Sequence, residues 1–179
     1  MNDTEARPRK RVALFLAADA TPVGPDTMVA AEPGEAAKAG IAQLAEMGVG
    51  RGTGERSVLL FKEPGEQGFS LIQLWFKSGY ILPPHSHDSD CLYYVIGGEL
   101  RFGTQLLRKG DGMHIPAHCG YSYEAGPEGV ELLEFRNATR FGITLQGTAA
   151  NWERIATVFR ERAALWENET VPPSERPRT

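Results

Sequence analysis

From residue 57 to residue 145, short apolar runs alternate with glycine-rich turns. The runs read SVLLFK, FSLIQLWFK, LYYVI, ELRFG, GMHIP, YSYEA, VELLEFR and FGITL, and the turns include EPGEQG, IGGE, RKGDG and AGPEG. Many short strands at regular spacing predict an all-β sandwich or barrel, and no helical period interrupts them. After the strands comes NWERIATVFRERAALWENE, where Trp152, Ile155, Ala156, Phe159, Ala163 and Trp166 fall on one stripe. That spacing predicts an amphipathic helix whose stripe packs on the outer face of the barrel or on a partner subunit. Before the strands, Ala37, Ile41, Leu44 and Gly48 share one face of a short predicted helix. It opens near Pro33 and Glu35 and is ended by the glycines of MGVGRGTGE. Residues 12–16, VALFL, predict a short buried strand behind a charged, proline-bearing tail. The chain therefore divides into an arm (1–56), a barrel (57–145) and a C-terminal helix with its tail (146–179).

Composition changes this picture little but excludes some functions. The 179 residues suffice for one domain with appendages, and 41% hydrophobic with 23% charged residues is ordinary for a globular protein. A net charge of −4 argues against nucleic acid as partner, because phosphate binding needs a basic face. No apolar run approaches the roughly 20 residues of a membrane helix. The basic start and the short apolar run ending in Ala18-Asp19-Ala20 resemble a signal peptide, but the run is at the lower limit of length and reads better as the strand. The expected location is the cytoplasm. Two cysteines, Cys91 and Cys119, make no disulfide framework. The run from Gly48 to Gly54 lacks the Gly-Lys-Ser/Thr of a phosphate loop and follows a helix, so it reads as a linker.

The candidate chemistry is concentrated. All four histidines lie between positions 85 and 118. His85 and His87 stand two apart, which in a strand puts both imidazoles on one face. Such a pair converges on one cation if the rings tilt inward, and imidazole suits Zn, Cu, Fe or Ni. Around the pair the chain reads Gly79, five residues, His85-x-His87, three residues, Cys91, six residues, Gly98. Further on stand Gly110, Pro116, His118, Tyr121 and Ala125.

These residues resemble the two motifs of the cupin superfamily over about half the chain. Gly79, His85, His87, Gly98, Gly110 and Pro116 match. Cys91 stands in the place of the family's metal-binding glutamate, Tyr121 in the place of its third histidine, and His118 where it has glycine.

The resemblance implies a double-stranded β-barrel, or jelly roll, with a pocket at its mouth. It also implies a divalent transition metal (Fe, Zn, Cu, Ni or Mn) at His85 and His87, completed by Cys91 or His118, with Tyr121 and His114 as other candidates. Asp90, beside Cys91, is a minor candidate for ligand or base. The implied activity is a metal-dependent reaction on a small organic molecule, of the oxygenase type within a family that also holds lyases and isomerases. Tyr121 or Tyr123 would serve as acid or hydrogen-bond donor. The alternative is a binding module without turnover, its metal site degenerate. Small cupins of this kind resemble homodimers, so the expected partners are a small-molecule ligand and a second copy, with no nucleic acid and no membrane.

Overall fold

The structure, a computed structural model, describes residues 12–24, 26–47, 52–65 and 68–176. Two sheets face each other as a jelly-roll barrel. In chain order the elements are β1 (Thr21–Pro22), β2 (Val29–Pro33), α1 (Glu35–Glu46), β3 (Glu55–Lys62), β4 (Ser70–Phe76), β5 (His85–His87) and β6 (Cys91–Phe102). There follow β7 (Gln105–Arg108), β8 (Gly112–Ile115), β9 (Glu124–Arg136), β10 (Phe141–Leu145) and α2 (Ala149–Asn168). The larger sheet runs β1-β3-β4-β9-β6-β7, with β8 on the same edge of β6 as β7. The smaller is β2-β10-β5, with β2 parallel to β10 and β10 antiparallel to β5.

Alternation along the strands sets the core. On β9, Val130, Leu132, Glu134 and Arg136 share one face, and their neighbours Ile72, Leu74, Tyr93 and Val95 on β4 and β6 are buried with them. IGGE, expected as a turn, runs inside β6 and marks a register shift against β9, where Gly98 has φ 68° and sits so close that a Cβ would fall 2.1 Å from the Gly129 carbonyl oxygen. No side chain fits there.

The two helices close one end of the barrel. The Thr148 side chain accepts from the Asn151 backbone N–H, and the Asn151 side chain caps Thr148 in return, which fixes the start of α2. The stripe of α2 packs on its own barrel: the Phe159 ring lies 4.9 Å from Tyr80 and the Trp166 ring 5.7 Å, while the Trp166 indole N–H donates to the Ser78 carbonyl at 2.9 Å. Between the helices, Trp152 lies on α1 at Gly40, where a Cβ would meet its indole at 2.4 Å. Accordingly α1 buries Ala37 and Gly40, while Ile41 and Leu44 turn toward the barrel end. Gly48 lies outside the described residues.

One expected element does not form. Residues 12–16 pair with no strand, and Val12 and Leu14 are about nine-tenths exposed. The reason is competition for an edge. Thr21 and Pro22 pair with Leu59 and Val58, and β2 joins β10, so the arm makes its sheet contacts further along. Apolar content alone does not make a strand without a partner edge.

Candidate functional site

The fold places the His85-x-His87 pair on β5 and tilts both rings inward. Both are buried, with ring centroids 4.8 Å apart and planes at 80°. Each ring is held from behind. Nδ1 of His85 lies 2.8 Å from the Pro83 carbonyl oxygen and Nδ1 of His87 lies 2.9 Å from that of Gly142. A carbonyl only accepts, so in the neutral rings the proton is on Nδ1 and Nε2 carries a bare lone pair. Burial lowers the pKa of both to about 4, with Arg136 adding to the effect at His87, so both are neutral at neutral pH.

The rings line a cavity of about 440 Å³ that reaches the surface at the exposed Ile41 and Ala45 of α1. Its walls are mostly apolar: Ile72, Leu74, Phe76, Phe141, Ile143 and, at the helical end, Trp152. Polar groups reach it at few points, from Tyr93, Tyr123 and Glu134 beside the histidines and from Glu55 and Ser57 on β3. An apolar cleft with a few convergent polar groups is the common form of a small-molecule site.

A hydrogen-bonded chain runs behind this wall. Tyr121 bridges to His85 through two backbone hydrogen bonds, and its ring centroid lies 4.3 Å from the imidazole. Its hydroxyl is 2.6 Å from that of Tyr93. Tyr93 bonds on to Glu134, whose Oε1 also accepts from Nε of Arg136 at 2.5 Å. Burial would raise the Glu134 carboxyl; Arg136, His87 and the two hydrogen bonds outweigh it and hold it below the usual range. An ionised carboxylate only accepts, so Tyr93 donates to Glu134 and Tyr121 donates to Tyr93. The Arg136 guanidinium also lies over the Phe141 ring at 4.0 Å, and Nη1 donates to Ser89.

The expected site residues part company. His85, His87 and Tyr123 line the cavity. Tyr121 and Cys91 are buried beside it, with the Cys91 thiol in hydrogen-bond reach of Tyr93 and Tyr121 and its pKa pushed up to about 11 by burial. His118 is exposed, holds a left-handed φ of 63°, and lines an outer cleft with Arg140 and Asp88 that shares His87, Phe141 and Ile143 with the cavity. His114 and Asp90 face each other outside the barrel at 3.8 Å, and Cys119 is exposed.

Sequence reading missed Glu134 and Arg136. The signal was weak: in VELLEFR both faces of the strand carry charge and apolar groups, so alternation cannot say which carboxylate is inside.

Fit to a metal can be judged from the donors. Two carbonyl-anchored imidazoles suit one. The remaining donors do not: Cys91 and Tyr121 are held protonated, Tyr121 also by burial, and Glu134 is tied to Arg136. Among the described residues no three His, Cys, Asp or Glu side chains converge, against the three protein ligands of usual catalytic sites.

Two facing sheets, a glycine irregularity at Gly98 in β6 and an inward His-x-His strand decide the architecture. The fold is a cupin barrel. No protein-family model and no curated protein matches the chain. Among solved structures it is similar to KdgF from Halomonas sp. (20% identity, TM-score 0.43, 49% of this chain and 83% of that one). It is similar to an RmlC-like cupin from Shewanella frigidimarina (23% identity, TM-score 0.43, 51% and 82%). It is also similar to the polyketide cyclase RemF from Streptomyces resistomycificus (14% identity, TM-score 0.49, 62% and 83%). Among the described residues, no helix of this cupin barrel is long and apolar enough to cross a membrane.

Proposed function

We propose that this cupin barrel binds a small, largely apolar organic ligand inside the barrel and orients it with its own side chains. His85 and His87 accept from the ligand through their neutral Nε2 atoms. The observation that carries the reading is the histidine pair. Both rings line the cavity, and with Nδ1 of each committed to a backbone carbonyl their Nε2 atoms are left as acceptors without a protein partner among the described residues. Tyr121 contributes from behind, by holding Tyr93 oriented toward Glu134.

The test is native mass spectrometry of the purified protein, for a co-purifying organic compound, followed by a thermal-shift screen of small aromatic and alicyclic oxygenates. Binding by the wild type that weakens in His85→Leu/His87→Leu supports the reading. A screen with no binder overturns it.

One observation favours a second reading, the metal-dependent oxygenase-type enzyme. The carbonyl-anchored Nδ1 atoms leave both Nε2 atoms free, as in histidines that ligate metals. Elemental analysis of untagged protein beside His85→Ala/His87→Ala separates the two. Near-stoichiometric Fe, Zn, Cu, Ni or Mn that disappears in the variant would establish the metalloenzyme.

The macromolecular partner in this reading is a second copy. Its support is the outer face of the larger sheet, where Phe61, Leu71, Phe135 and Leu92 lie in one cross-strand row and Leu133 and Tyr94 in the next. Leu92, Tyr94 and Phe135 are each over 40% exposed, a contiguous apolar face of the kind that marks interfaces.

A further inference from the structure

The hydrogen-bond roles fixed around the cavity restrict what it can hold. His85 and His87 present acceptors, because their Nδ1 protons are committed to Pro83 and Gly142. The wall therefore asks the ligand for a hydrogen-bond donor.

Charge restricts it further. Glu134 and Arg136 cancel each other within one ion pair. Glu55, the other carboxylate of the lining, accepts from the Ser57 hydroxyl at 2.7 Å and works against an anion. An anion entering this apolar space would lose its hydration with no Lys or Arg among the described lining residues to replace it, and a cation would meet only Glu55, whose carboxylate already accepts from Ser57.

We infer that the ligand is an uncharged, hydroxyl-bearing apolar compound of the phenol or enol class, its hydroxyl donating to Nε2 of His85 or His87. The inference rests on the interior-ligand reading above and narrows it to a chemical class. Size agrees, since a cavity of about 440 Å³ takes one to three fused or linked rings. A site built to accept from a hydroxyl also rejects the analogue that lacks the proton, because its buried acceptors are then left unpaired.

The experiment is calorimetric titration of the full chain with four probes of one shape: 1-naphthol, 1-methoxynaphthalene, 1-naphthoate and 1-naphthylmethylammonium. The expected order is naphthol at least tenfold tighter than its methyl ether, with both ions weaker still. In His85→Leu/His87→Leu, which removes both acceptors, the preference for naphthol over the ether collapses. Equal affinity for naphthol and ether, or a preference for either ion, overturns the assigned class while leaving interior binding intact. No heat with any probe and no competition for a co-purified compound overturns both. The probe ranking is read on the wild type, so it does not depend on a variant folding.

Discussion

Glu134 and Arg136 stand two apart on β9, face the same way, and form an ion pair with both side chains almost wholly inside the barrel. The pair lies beside His87 and anchors the tyrosine chain, so it organises the polar end of the cavity. A buried pair contributes little net stability against an apolar replacement, but removing one partner leaves a buried charge.

From this follows a stability prediction. Glu134→Gln and Arg136→Met each lower unfolding free energy by about 3–5 kcal/mol. The double variant Glu134→Leu/Arg136→Met loses clearly less than the sum, because no charge is stranded. Urea denaturation of the three variants measures this. Strict additivity would mean that the two groups do not interact.

The histidines predict an acid-sensitive fold. Their folded pKa values of about 4 lie below the ordinary 6.5. Between those values the unfolded chain binds more protons, so stability rises with pH through the window and is fully present above it. As pH falls from about 6.5 toward 4 each histidine withdraws on the order of 2–3 kcal/mol. Glu134, whose carboxyl is held low, adds a loss only at still lower pH. Melting temperature measured from pH 7 to pH 4.5 should drop steeply for the wild type and far less for His85→Gln/His87→Gln.

Gly40 predicts a packing defect. An added Cβ would overlap the Trp152 indole at 2.4 Å, and Trp152 also lines the cavity. Gly40→Ala gains about 1 kcal/mol of helix propensity and loses about 1–3 to overpacking. The expected net is a modest fall in stability with weaker ligand binding, both relieved in Gly40→Ala/Trp152→Phe. Thermal melts and the same titration read both.

The outer sheet predicts the assembly. If Leu92 and Phe135 meet a second copy, Leu92→Lys/Phe135→Lys gives a folded monomer by sedimentation while the wild type runs as a dimer. A wild-type monomer at high concentration would remove the dimer from the proposal.

Much of this was legible in the chain. Strand punctuation gave the all-β barrel, because turns and alternation are local. The Trp152 to Trp166 stripe marked its helix for the same reason, and the His85-x-His87 spacing put two rings on one face. Yet residues 12–16 look like a strand and are not one, since a strand also needs a free edge, which Thr21 and Pro22 occupy.

What only the tertiary structure decided is which polar groups meet. Nothing in VELLEFR says that Glu134, and not Glu131, faces His87; the register with β6 opposite Tyr93 does. Nor does the sequence say that His118 belongs to an outer cleft while Tyr123 keeps an unpaired hydroxyl inside. Local pattern fixes where a side chain sits along its own element. Register and packing between distant elements fix its neighbours, and with them its charge, its hydrogen bonds and its chemistry.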